Sequence, residues 1–342
     1  MAKPSDWLER VRENIVDPER SIIDAHHHLW PDPEHPYELA DLWQDTGSGH
    51  RVEKTVFMEF RPEYSHQTDS ATERGINETR DAAKYAAQAR VEADRDGHSD
   101  ETMVAQIGAI VGYADLTEVD GLSDTLDAHE LAGDGLFRGI RNVANWHADE
   151  GVRNGYTDPP PDLYAREEFR AGVELLGKRN LSFDAWNYHT QIKGLAELAQ
   201  TVPQTMIVLD HLGGPLGIGP YRGLHDSVFA EWCEDIERLA QCENVVVKLG
   251  GLTMPLTGFG WHRRDFPATS DELVQAHSRF YAKAVNVFGV DRCMFESNFP
   301  VDKLSVSYHV LWNAFKKFAK RYTQTEQDAL FGGTARRVYR IR

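Results

Sequence analysis

Residues 21–30 read Ser21-Ile22-Ile23-Asp24-Ala25-His26-His27-His28-Leu29-Trp30, a short β-branched run that ends in three consecutive histidines. β-Branched side chains favour a pleated strand, on which residues i and i+2 share a face. His26 and His28 therefore point into one pocket while His27 points elsewhere. Two neutral imidazoles so placed suit a divalent ion of the zinc type, which takes nitrogen, sulfur or oxygen ligands and keeps an open position when it catalyses. On the motif alone a polar strand end would also explain three histidines, so the reading depends on the rest of the chain.

Working outward from this run, short apolar stretches recur at 22–25, 55–60, 104–111, 137–141, 181–186, 205–210, 244–249 and 292–297. Segments with helical periodicity lie between or after them, at 71–93, 167–178, 192–199, 228–240, 271–288 and 310–321. Eight strands alternating with helices predict an α/β fold, a (β/α)8 TIM barrel, as one domain over residues 1–342. Residues 1–20 form an N-terminal extension, and a longer helical connection follows the second strand at about 61–102. No linker rich in Pro, Gly and Ser divides the chain, and no G-x-G-x-x-G follows an early strand to support a dinucleotide site.

The net charge of −17 argues against nucleic acid or an anionic membrane as partner, since both reward clustered Lys and Arg. A small-molecule substrate is expected, and an anionic one would need cations gathered locally at the site. The N-terminus has no uninterrupted apolar core and no 18-residue apolar run follows, so the expectation is a soluble, cytoplasmic protein. Cys233, Cys242 and Cys293 form no C-x-x-C pair and read as reduced structural thiols. A homo-oligomer is compatible with such a barrel, although no stripe in the sequence defines an interface.

In a barrel of this kind chemistry gathers at the C-terminal ends of the strands. His26 and His28 end strand one. Asp210-His211 ends strand six, where alternation allows only one of the two to face the mouth; His211 is expected there, with Asp210 as an orienting partner. Strand eight runs on into Glu296-Ser297-Asn298-Phe299-Pro300-Val301-Asp302. Arg61 and Arg141 are candidates to bind a carboxylate bidentately, with an ordinary ion pair as an equal account of each. Lys248 reads as a substrate contact or as a salt-bridge partner inside the barrel. Trp186 and Tyr188 read as walls for a ring substrate or as packing. The pairs Gly213-Gly214 and Gly250-Gly251 fall in mouth loops, where glycine permits tight turns and close approach to a ligand.

Four motifs together carry a family resemblance: D-A-H-H-H-L-W at 24–30, F-R-G-I-R at 137–141, D-H-L-G-G-P at 210–215 and F-E-S-N-F-P-V-D at 295–302. From about residue 21 to the C-terminus the chain resembles the amidohydrolase superfamily, specifically the amidohydrolase-2 group of metal-dependent TIM-barrel hydrolases. The resemblance implies hydrolysis of lactones or non-oxidative decarboxylation as the nearest reaction classes. It implies one divalent ion, zinc or manganese, on His26 and His28. His189 is a candidate third ligand, a substrate contact or a loop histidine. Binuclear members carry a carboxylated lysine on strand four, which this chain lacks, so a mononuclear or metal-free site is preferred.

One departure matters. The family usually carries Ser-Asp-Trp-Pro after strand eight, whereas this chain reads Ser297-Asn298-Phe299-Pro300. An amide cannot ionise to take a proton from water, so the base is sought in Glu296, Asp302 or His211. The expectation is a hydrolase of a small carboxylated or hydroxylated lactone, with His211 as proton shuttle and Asn298 as ligand or oxygen-holding group. A decarboxylase on the same scaffold and a catalytically degenerate binding barrel are the alternatives.

Overall fold

A computed structural model of the chain describes residues 6–30, 36–60, 70–95 and 104–342. The expected eight strands are present: β1 (Ile22–His27), β2 (Val52–Met58), β3 (Gln106–Gly112), β4 (Phe137–Val143), β5 (Ser182–Trp186), β6 (Ile207–Leu209), β7 (Val245–Leu249) and β8 (Cys293–Phe295). Each pairs in parallel with the next, in sequence order. Just beyond β8 the Asn298 N–H donates to the His26 carbonyl (2.9 Å) and the His28 N–H donates to the Phe299 carbonyl (2.8 Å). The two ends of the sheet therefore meet, and the (β/α)8 barrel is nearly closed.

The helices are α1 (Leu39–Thr46), α2 (Ala71–Arg95), α3 (Val119–Ala132), α4 (Glu167–Lys178), α5 (Ile192–Thr201), α6 (His225–Ala240), α7 (Ser270–Phe288) and α8 (Tyr308–Ala319), with the short α9 (Gln324–Asp328) and α10 (Thr334–Val338) at the end. The longer connection after β2 contains the expected α2. Periodicity did not single out α3, because Gly121 and three aspartates depress its helical propensity. It forms because Leu122, Leu126 and His129 share a face that packs inward.

Alternation along the strands sorts the core into two layers. Ala25, Met58, Val111, Val208, Val246 and Met294 fill the barrel, while Phe183, Ala185, Val245, Val247 and Leu249 face the helices. Ala335, Val338, Tyr339 and Ile341 join the inner cluster and plug the end where the strands begin. The opposite end stays open for chemistry. Among the described residues no helix is long and apolar enough to cross a membrane, and the three cysteines are free.

Candidate active site

The register of β1 against β2 shifts between Asp24 and His27, and such an irregularity re-aims side chains. His27 bonds the Thr55 hydroxyl (3.1 Å). His26 and His28 turn inward together, their Nε2 atoms 3.1 Å apart. His28 Nδ1–H donates to the Met58 carbonyl (3.0 Å), which leaves the Nε2 lone pair free to bind. Burial holds both imidazoles well below the usual histidine range, helped by Lys248 for His26 and by Arg141 for His28. Both imidazoles are neutral at neutral pH.

Beneath the mouth lies a layer of buried charge. Lys248 on β7 reaches Asp210 Oδ1 (2.9 Å), Asp184 Oδ2 on β5 (3.0 Å) and His26 Nδ1 (3.2 Å). The Tyr339 hydroxyl caps Asp184 from below (2.5 Å). Burial pushes Asp210 up, but Lys248, His211 and Arg141 outweigh it and hold the carboxyl below its ordinary value. Burial likewise works against the Lys248 ammonium, and Asp210 and Asp184 more than restore it.

Of Asp210 and His211 it is His211 that lines the cavity, as expected, while Asp210 points into the buried layer beneath it. Asp210 continues the inward face set by Val208. The strand then ends at Leu209, and His211 and Leu212 adopt left-handed conformations (φ 53° and 57°) that free His211 from the period of two. His211 Nδ1 bonds Glu296 Oε1 (2.6 Å), and the same oxygen accepts the His211 backbone N–H (3.1 Å). The other carboxylate oxygen stands 3.1 Å from His26 Nδ1. Burial opposes the Glu296 charge, yet His211 and His26 outweigh it and hold the acid down to about 2. Gly250 and Gly251 make room for this pair rather than for a ligand: a Cβ on Gly250 would lie 2.3 Å from Glu296 Cγ, and one on Gly251 2.5 Å from His211 Cβ.

Above this layer opens a cavity of about 450 Å³, within the ordinary range for small-molecule sites. His28, His211, Asn298, Arg141, Trp186 and Tyr188 line it, so six of the expected residues converge. Trp186 meets the His211 ring edge-on at 4.8 Å. Arg141 is clamped by Glu59, through Nε to Oε1 (2.6 Å) and Nη2 to the backbone carbonyl (2.6 Å). Lys248 is not a substrate contact but the interior salt-bridge partner, fully buried and spent on its aspartates. Asp302 lies behind Asn298, taking its amide N–H (2.5 Å) and the Thr253 N–H (3.0 Å). His189 stands apart: its Nδ1 accepts from Leu216 N–H (3.3 Å) and its ring packs on Tyr221. Arg61 lies outside the described residues. Sequence reasoning missed Glu59, although an acid just after an apolar strand is a signal at a barrel mouth. It also missed Tyr156, which donates to Glu59 Oε2 (2.5 Å), and the loop arginines Arg153 and Arg263, for which no periodic signal exists.

A sequence profile of the amidohydrolase family matches residues 23–341. The chain belongs to the amidohydrolase family. An uncharacterized protein of Sinorhizobium fredii is 38% identical over 232 residues, which make up 68% of this chain and 69% of that one. The L-fucono-1,5-lactonase of Burkholderia multivorans is 29% identical over 328 residues, 93% of this chain and 96% of that one. Among solved structures, a Burkholderia multivorans amidohydrolase with bound HEPES matches with a TM-score of 0.70 at 23% identity, covering 94% of this chain and 100% of that one. A second crystal form with bound zinc gives 0.67 at 22% identity, with the same coverage.

The donors in this amidohydrolase barrel fit a divalent cation. His26, His211 and Glu296 bring ligand atoms within 4.8 Å of one another, and His28 adds a third imidazole, its Nε2 3.1 Å from that of His26. Within the layer two cations, Lys248 and Arg141, face four buried carboxylates, Glu59, Asp184, Asp210 and Glu296. A cation bound by the imidazoles would offset that excess of negative charge.

Proposed function

We propose that this chain hydrolyses a small cyclic ester, with His211 moving the proton. The observation that carries the reading is the buried His211–Glu296 pair (2.6 Å) on the wall of the cavity beside His28. The lactonase of Burkholderia multivorans, similar over nearly the whole of both chains, supports this choice of ester. His26 and His28 would hold a divalent ion, with zinc the preferred metal for a nitrogen donor set, and when bound it supplies Lewis-acid polarisation of the ester.

The chain's own residues do the rest. His211 Nδ1 is committed to Glu296, so Nε2 takes the proton from the attacking water and returns it to the leaving ring oxygen. Glu296, held ionised, steadies the imidazolium and fixes the tautomer. Trp186 restrains the ring from one side. Asn298 spends its N–H on Asp302 and presents its carbonyl oxygen as an acceptor for a substrate hydroxyl or the water.

The test is ring opening followed by pH-stat across a panel of 1,4- and 1,5-lactones. His211→Asn is expected to lower kcat by about 10²–10⁴-fold while the melting temperature is kept. Undiminished turnover in that variant would overturn the assignment. Release of carbon dioxide without ring opening would move the chain to the decarboxylase reading, and binding without turnover to the degenerate barrel. Plasma emission on wild type and a His26→Ala, His28→Ala variant checks the metal: about one equivalent is expected in the first and none in the second.

A further inference from the structure

The cavity is cationic in an acidic protein. Among the described residues three arginines line it, Arg141, Arg153 and Arg263, and no Asp, Glu or Lys does, although the chain carries 54 acidic against 37 basic residues. Arg141 is not free to act as the anion receptor. It is buried, its Nε and Nη2 are spent on Glu59, and Asp210 lies 3.7 Å from its Nη1.

Arg153, on the loop after β4, and Arg263, on the loop after β7, differ from it and from the arginines that the surface holds in ion pairs. Arg12, Arg51, Arg166, Arg179 and Arg279 each sit against a carboxylate. Among the described residues no carboxylate pairs with Arg153 or Arg263. The Arg263 guanidinium bonds only the neighbouring His262 ring (3.2 Å). Both side chains are exposed at the rim of the cavity, opposite a floor made of His28, His211 and Asn298. Apolar surface from Phe60, Trp186, Met254 and Leu256 lies between.

We infer that Arg153 and Arg263 select a substrate that carries a carboxylate at the end remote from the reacting ester. The inference rests on the proposed lactone chemistry for the identity of the ester, but its own content is the anionic group. Two guanidiniums without counter-ions at the mouth of an otherwise acidic protein draw an anion inward, where the net surface field would repel it. Their planar forks match a carboxylate in geometry as well as in charge. The reacting end then meets the apolar walls and the histidines.

The probes are D-glucaro-1,4-lactone and D-glucono-1,4-lactone, which differ by a carboxylate in place of a hydroxymethyl group. Quenching of Trp186 fluorescence gives a Kd for each, and pH-stat gives ring opening separately. Wild type is expected to bind the acidic lactone at least tenfold more tightly, with a preference that shrinks as salt rises. In Arg153→Gln, Arg263→Gln that ratio falls by about tenfold. Equal Kd values in wild type, or a preference kept by the double variant, would overturn the inference. Selective binding without ring opening would leave it standing and remove the lactonase reading; ring opening of both probes without preference would do the reverse.

Discussion

Asn298 stands where the family motif would have an aspartate, and its surroundings explain why an aspartate would fit poorly. Its amide N–H donates to Asp302 Oδ2 at 2.5 Å, and Asp302 Oδ1 takes the Thr253 N–H. Asn298→Asp would set two buried carboxylates against each other, with no cation among the described residues paired to Asp302. It is expected to cost about 1–3 kcal/mol in denaturant unfolding. Adding Asp302→Asn restores one donor between the two acceptors and should recover most of that loss. Penalties that simply add in the double variant would refute the coupling. The departure at 298 was legible in the sequence, whereas its compensation was not. Asp302 was visible as a nearby acid, but only the fold turns it towards the amide and away from the cavity.

At the scale of elements, the ends of β6 and β8 bring His211 and Glu296 together, and the end of β7 makes room for them. Gly251 is left-handed (φ 69°) and its missing Cβ leaves room for His211. Gly251→Ala is expected to destabilise by about 1–3 kcal/mol and to lower kcat at least tenfold, because His211 must move. Gly135, before β4 at the far end of the barrel, supplies the control: its φ is positive as well (76°), but a Cβ there meets nothing within 4 Å. Gly135→Ala should show the backbone strain, about 1 kcal/mol, without the loss of activity. Equal losses of kcat in the two variants would sink the steric argument. The strands themselves were legible because β-branched runs recur between helical segments, and the period of two then placed His26 and His28 together. It also pointed to His211 at the mouth, although there a left-handed turn, and not alternation, aims the side chain. It had nothing to say of Arg153 and Arg263, since a loop carries no period that tells which side chain faces inward.

At the scale of the whole molecule, burying so many acids makes stability depend on pH in an unusual direction. Asp302 is fully buried, and desolvation pushes it from its ordinary 3.8 up to about 6, against the pull of Thr253 and Asn298. A carboxyl raised on folding holds a proton that the unfolded chain releases. Its contribution is therefore complete below pH 4 and is lost as the pH rises through about 6, by up to about 3 kcal/mol. Glu296 is held down to about 2 and acts oppositely, losing its contribution as the pH falls from about 4.5 towards 2, mostly below that window. The difference between wild type and Asp302→Asn isolates the first effect, because the amide stays neutral at every pH and cancels the other groups. The two proteins should differ least at pH 4 in urea unfolding, and the variant should gain on wild type by about 1–3 kcal/mol by pH 7. A difference independent of pH would mean that Asp302 is already charged in the folded protein at pH 4. Its partners, the Thr253 and Asn298 donors, would then be strong enough to stabilise the charge without a cation, and the argument from desolvation would fall.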